Sequence, residues 1–255
     1  LTLLGAYLCI DLRDIAWHGA RRNGANLLAV IEEGVGHSIR TYDQSLRDAA
    51  RLASRPDIAA LEPELRRLAL FNVSPLQSGL GPIAVTDVDG HIRMTSDPNL
   101  SPQLNLSDLP EFETLRSDPQ ASLILTGPTR SRMTGRQIIR MSRRIETPDG
   151  AFAGIVTGSI VLVHFQRLFD RLRFDNGLII NIFHRDGTLL MRAPERPAAL
   201  GRNIGSSPGY QIYRTHQQGE FLGRSSLDGE ARLYAFSSLH DLPLIVTVAT
   251  SVESI

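Results

Sequence analysis

The chain has 255 residues, 42% of them hydrophobic and 21% charged, which suits one or two folded domains able to bury a core without cross-links. Its 27 basic and 27 acidic residues cancel, so no net field draws it onto nucleic acid or an anionic surface. All the basic residues are arginine, which reads as coding bias, and Cys9 stands alone, so no internal disulfide can form.

The first ten residues, LTLLGAYLCI, are apolar but too few to cross a bilayer, which takes about 20. They read either as a buried helix start or as the outer end of a transmembrane helix. Asp11, Arg13 and Asp14 follow at once and favour the second reading. Residues 12–55 hold no proline and predict one long helix. Leu28, Ile31, Val35, Ile39, Tyr42, Leu46, Ala49 and Ala53 step by three and four along a single stripe, close to a heptad seam. Gly24, Gly34 and Gly36 weaken it, each by about 1 kcal/mol relative to alanine. The stripe therefore needs a partner, either its own domain or a second copy of the chain. Pro56 ends the helix, and a second helix is expected over 58–71.

Strands follow. Residues 83–96 read as a hairpin turning at Asp89-Gly90, a strong turn signal. A short helix is expected at 108–117, with Asp108 as its cap, and strands at 122–128, 136–146 and 151–162. The order then recurs: a connecting helix at 164–174, a hairpin at 177–193 turning at Asp186-Gly187, and strands at 219–227, 230–239 and 243–250. The two Asp-Gly turns lie about 97 residues apart, a spacing of tandem domains. Hairpin connections and alternating patterns predict an antiparallel sheet in each half, with helix covering one face. The fold class expected is α+β, a long N-terminal helix and two tandem PAS-like modules of five strands each.

Catalytic signatures are weak. Gly205-Ser206-Ser207-Pro208-Gly209 spells G-x-S-x-G, but a nucleophile elbow needs a strand before it and a helix after it; here a loop precedes and a strand-like run follows. The seven histidines show no i, i+4 pair and no cysteine partner, so no zinc site is expected. Gly34-Val35-Gly36 lacks the third glycine of a phosphate loop. No cofactor, metal or catalytic residue is assigned, and this segment is read as not an enzyme.

The ordered set VTDVDGHIRMTSD (85–97), LSDLPEFETLRSDP (106–119), TGR (134–136), SRR (142–144), DGAFAG (149–154), FHRDGTLLMRAPE (183–195), LGRNI (200–204) and LDGEARLYAFSSLHDLPLIVTVA (227–249) resembles the double Cache, or PDC-type, sensor domains of bacterial receptors. It is most similar to those that precede diguanylate cyclase or histidine kinase output domains. The resemblance implies a periplasmic sensor in an inner-membrane protein, anchored by residues 1–10 as the end of a transmembrane helix. It further implies a helical stalk over 11–71, a membrane-distal module over 72–165, a membrane-proximal module over 166–255, and a homodimer along the N-terminal helix. The cyclase GGDEF signature and the kinase ATP-binding motifs do not occur in this sequence.

Residues 119–145 hold Arg130, Arg132, Arg136, Arg140, Arg143 and Arg144 and no acid. A nucleic-acid patch would interleave aromatics, and none is present. A solvated strand face is the simplest role for most of these side chains; the alternative is a small anion, such as a carboxylate, held by guanidinium forks. By alternation Arg140, Ser142 and Arg144 share one strand face. If that face lines a pocket, the next strand adds Thr157 and Ser159, the short helix Phe112 and the loop Arg130. The related sensors build their pockets from these elements. The amino-acid-binding subgroup resembles Arg-x-Trp-Tyr at the short helix with an Asp on the last strand. Here Leu109, Pro110, Glu111, Phe112 and Ser159 stand there instead, so a typical amino acid is not the expected ligand. In the second half Arg192, Tyr213, Arg232 and Tyr234 are the polar or aromatic candidates, with packing as their expected role. The function expected is small-molecule sensing; the alternative is a ligand-free dimerisation or protein-docking module.

Overall fold

The computed structural model describes residues 2–71, 80–100, 104–163, 165–166, 169 and 177–255, with side chains from residue 11 onward. The chain divides into two compact units. His37–His164 is called the first module below; Leu1–Gly36 with Phe165–Ile255 is the second.

Helix α1 runs Thr2–Ala53. The predicted stripe is buried from Leu28 to Ala49, with Ile31, Val35, Leu46 and Ala49 fully so. That burial within the chain is what offsets the three glycines. No described helix is long and apolar enough to cross a membrane. The helix expected over 58–71 is two pieces, α2 (Pro56–Ala59) and α3 (Pro63–Leu70). Each starts on a proline, which fits the first turn of a helix and not its interior.

The first module holds β1 (Ala84–Thr86), β2 (Ile92–Thr95), α4 (Pro110–Ser117), β3 (Leu123–Arg130), β4 (Gln137–Glu146) and β5 (Phe152–Val161). The second holds β6 (Leu178–His184), β7 (Leu189–Ala193), α5 (Pro208–Thr215), β8 (Gln218–Arg224), β9 (Ala231–Ser238) and β10 (Leu244–Ser251). Each has a five-stranded antiparallel sheet, in the orders β2-β1-β5-β4-β3 and β7-β6-β10-β9-β8. The two orders are the same plan, so the expected α+β fold of tandem PAS-like modules is observed. Gly90 and Gly187 take φ of +83° and +96°, which the Asp-Gly turns require and a Cβ would oppose. The helix expected at 164–174 lies mostly outside the described residues.

Two local expectations change. Asp108 does not cap α4: Leu109 holds the cap position without a side-chain bond, and the Asp108 carboxylate takes a forked pair of bonds from Arg132 at 2.7 and 2.8 Å. Those bonds hold its pKa below the ordinary aspartate value. The run after Gly205 is also not strand-like. It is helix α5, with Ser207 as N-cap accepting from the Tyr210 N–H at 3.3 Å. The serine that spelled a nucleophile elbow is a capping residue.

The repeat extends into the loop before each short helix. Asn105 donates to the carbonyl of Asp89 at 3.0 Å and accepts from the N–H of Ser107 at 2.7 Å. Asn203 does the same with Asp186 and Gly205, at 3.0 and 2.7 Å. Each asparagine stands five residues before the proline that opens its helix. The helices then bury Phe112 and Leu115 in one module, Tyr210 and Tyr213 in the other.

Candidate functional site

In the first module, the register sets Arg140 beside Ser159 and Ser142 beside Thr157 across β4 and β5. The predicted neighbours on this face are thus brought together. Helix α4 covers them. The covering is already satisfied from within the protein. Arg140 pairs with Glu111 of α4, whose side chain is 1% exposed, and Thr126 reaches the same carboxylate at 3.3 Å. The hydroxyls of Ser142 and Thr157 bond each other at 2.9 Å, and Thr157 also donates to the carbonyl of Met141. Ser142, Thr157, Ser159 and Phe112 are all buried.

Arg144 donates to the carbonyls of Leu115 and Arg116 at 2.6 and 3.0 Å and lies over the Phe152 ring. It ties down the C-terminal end of α4, where a cation meets the helix dipole favourably. Phe112 packs edge-on to Phe152 in the core. Arg130 is exposed at the end of β3, with no polar contact to the other six among the described residues.

The arginine-rich stretch is thus solvated only in part: Arg130, Arg132 and Arg136 are exposed, while Arg140, Arg143 and Arg144 are half-buried. Arg132 pairs with Asp108, Arg140 with Glu111, Arg143 with Asp43 and Arg144 with Glu146. The stretch lacks acids because its acids come from elsewhere in the chain. Two of these were legible. Glu111 precedes Leu115 by four residues and so shares its helix face, and Asp43 sits inside the apolar stripe of α1 between Ile39 and Leu46.

On the other face of this sheet, the Tyr42 hydroxyl donates to the Gly81 carbonyl at 2.8 Å and accepts from the Ser159 N–H at 2.9 Å. Burial raises its pKa, against the smaller opposing effect of the Ser159 N–H. A Cβ at Gly158 would overlap that hydroxyl, so glycine there is required by the tyrosine.

In the second module, the equivalent face carries a different cluster. Asp228, in the connection between β8 and β9, accepts from Arg232 at 2.5 and 3.1 Å and from Arg192 at 2.7 Å. Arg196 approaches it at 3.6 Å. Burial pushes the Asp228 carboxyl up, but bonds from Arg232 and Ser225 and the two guanidinium charges more than offset this, holding it well below the usual carboxylate range. Arg192 and Arg232 are themselves buried, at 5% and 6% exposure. Asn181 links Arg192 (3.3 Å) to Thr247 (3.0 Å). Tyr213 and Tyr234 pack around Phe221, with Tyr234 stacked on it at 4.9 Å. Burial pushes the Tyr213 phenol up. The sequence signal for this cluster was two arginines on otherwise buried strands: Arg192 in LLMRA and Arg232 alternating with Tyr234 and Phe236.

Asp87, Asp89 and His91 bring one potential ligand atom each within 4.8 Å of one another. One Asp87 oxygen is taken by the N–H groups of Asp89 and His91, and the other pairs with Arg93. The cluster is explained as a turn.

Residues 163–249 match the family model dCache_1_like, described as a histidine kinase sensor domain. No curated protein matches the sequence. Among solved structures, the chain is similar to the extracellular domain assigned to the histidine kinase rpHK1S-Z16, with 28% identity and a TM-score of 0.80 over 94% of this chain and 98% of that one. It is similar in fold to the ligand-binding domain of the Pseudomonas aeruginosa amino acid chemoreceptor PctB in complex with L-Gln (15% identity, TM-score 0.67, 90% of each chain). The Pseudomonas fluorescens chemoreceptor CtaA with L-alanine is likewise similar in fold (16% identity, TM-score 0.61, 90% of this chain and 96% of that one). The chain thus has the architecture of a double Cache sensor domain, and its second module matches the histidine kinase sensor family by sequence.

Proposed function

We propose that this chain is the extracytoplasmic sensing segment of a membrane receptor, periplasmic in an inner-membrane protein, that binds a small molecule and reports occupancy to a cytoplasmic output domain. The observation that carries this reading is the likeness along nearly the whole chain to a histidine kinase extracellular domain, at 28% identity and a TM-score of 0.80. The output domain would be a histidine kinase or a diguanylate cyclase, and residues 1–10 the end of the membrane anchor. The segment itself has a binding role and no catalytic one. Occupancy would act by population shift: a ligand that binds one closure of a module better than another biases that closure. A homodimer along α1 is supported by Leu12, Ile15 and Val30, which share one exposed face of the helix.

The ligand site expected in the first module comprises Phe112, Arg130, Arg140, Ser142, Arg144, Thr157 and Ser159. A small polar ligand there would have to displace contacts the protein already makes, above all Glu111–Arg140. The same observation favours a second reading for this module alone, a ligand-free dimerisation or docking unit whose face is filled by its own side chains. A typical amino acid remains an unexpected ligand, since the Arg, Trp and Asp of the amino-acid subgroup are replaced by Leu109, Glu111 and Ser159.

The test is a thermal-shift panel on the purified chain with amino acids, mono- and dicarboxylates, sugars and nucleobases. The reading expects at least one class other than amino acids to raise the melting temperature by about 2 °C or more near saturation. If no class does so, sensing by direct ligand binding fails and the docking reading takes its place.

A further inference from the structure

We propose that the second module holds a separate anion site, suited to a carboxylate of formate or acetate size, built from Arg192 with Asn181 and Tyr213 beside the Asp228 cluster. Three observations carry it.

The first is charge. Arg192 and Arg232 are two buried cations sharing one carboxylate, Asp228, and the third guanidinium near that carboxylate, Arg196, is half exposed. A buried cation without its own counter-ion is costly, and a bound anion removes that cost. The nearby acids Glu195 and Glu230 are exposed and make no ion pair with the cluster among the described residues.

The second is unused donor capacity. The Nε of Arg232 is buried without a hydrogen-bond partner among the described residues. A buried donor is normally satisfied, so the Arg232 Nε leaves the cluster one acceptor short. The Tyr213 side chain, 5% exposed, borders the cavity beside Arg192.

The third is space. A cavity of about 30 Å³ is bordered by Asn181, Arg192, Tyr213, Phe221, Ser225 and Tyr234. A cavity of this size holds only a few heavy atoms, so a group the size of formate or acetate fits and a larger metabolite does not. A flat carboxylate presents two oxygens to a guanidinium fork, and the aromatic walls accept a methyl group. The equivalent face of the first module has no such excess, because Arg140 has Glu111 to itself.

This site does not depend on the sensor reading: a metabolite panel that finds nothing at the first module leaves it standing. The test is the melting temperature of the intact chain in sodium acetate against sodium chloride of equal ionic strength, with acetamide as the uncharged isostere. Acetate is expected to raise the melting temperature by about 5 °C at near a hundred times its Kd, and acetamide not at all. Arg192→Lys keeps the charge but loses the fork, and Tyr213→Phe keeps the packing but loses the donor; each is expected to shrink the acetate-dependent rise, while Arg136→Gln, at an exposed arginine outside both sites, leaves it intact. If Arg192→Lys does not fold, Tyr213→Phe carries the comparison. Equal melting temperatures in acetate and chloride for the wild-type chain, or a rise that survives in both Arg192→Lys and Tyr213→Phe, would overturn the site.

Discussion

The two modules are one scaffold used twice, and they differ in where each puts its buried acid. Ala84 and Asn181 each stand six residues before the glycine of their Asp-Gly turn, and each pairs with a threonine, Thr157 or Thr247. From that anchor the registers align. Tyr234 stands where Arg140 stands, Phe236 where Ser142 does, and Arg192 where Thr95 does. On the short helix, Glu111 of the first module corresponds to Gly209 of the second, since each stands six residues after its loop asparagine, Asn105 or Asn203. The first module therefore neutralises one arginine with one acid delivered by a helix. The second gathers two buried arginines on an acid delivered by a turn. A shared backbone plan fixes which positions face inward; the identity of the few polar residues there decides whether the face is closed on itself or left with charge to spare.

The comparison can be broken most directly at Asp228. Replacing it with alanine leaves Arg192 and Arg232 buried without an acid, and chemical denaturation should show a loss of about 3–5 kcal/mol. A loss under about 1 kcal/mol would mean that water reaches the cluster and that the two modules do not differ in this way. In the first module, Glu111→Leu alone should cost about 3 kcal/mol, and adding Arg140→Met should restore most of it, as expected when a buried pair gives way to apolar packing. Failure of the double variant to recover would give the pair a role beyond mutual neutralisation.

Gly158→Ala forces a methyl group against the Tyr42 hydroxyl and should cost about 2 kcal/mol, read from the same denaturation curves. A neutral result would mean that α1 can shift on the sheet. The pH dependence separates the modules more gently. Asp228 has a folded pKa depressed below its unfolded value near 3.9, so its contribution is full above about pH 4 and is lost as the pH falls further. Stability measured from pH 6 downward should decline below that point, and Asp228→Asn should flatten the decline. The smallest effect belongs to Arg132→Ala at the exposed pair with Asp108, where a melting change under about 2 °C is expected.

Periodicity made most of the fold legible. The stripe from Leu28 to Ala49, the Asp-Gly turns and the strand alternation are local patterns, and each was dictated by the pleat or the helical turn. Alternation also set Arg140, Ser142, Thr157 and Ser159 on a common surface. The missed helix α5 was hidden by its composition: Tyr210, Ile212 and Tyr213 are strand-favouring residues held in a helix by the Ser207 cap, Pro208 at the first turn and the packing of the two tyrosines. Its counterpart to the Asn105–Pro110 loop, Asn203–Pro208, was the available signal. Ion-pair partners were less legible: the burial of Asp43 could be read from its place in the apolar stripe, but its pairing with Arg143 across 100 positions leaves no local trace, and neither does the inward turn of Asp228 from a hairpin loop.

The most direct measurement is amide hydrogen exchange of the intact chain with and without saturating acetate. The expected result is slower exchange in α5, β7 and β9, with α4, β4 and β5 unchanged. Unaltered exchange throughout the second module, or protection confined to the first, would contradict the distinction drawn between them.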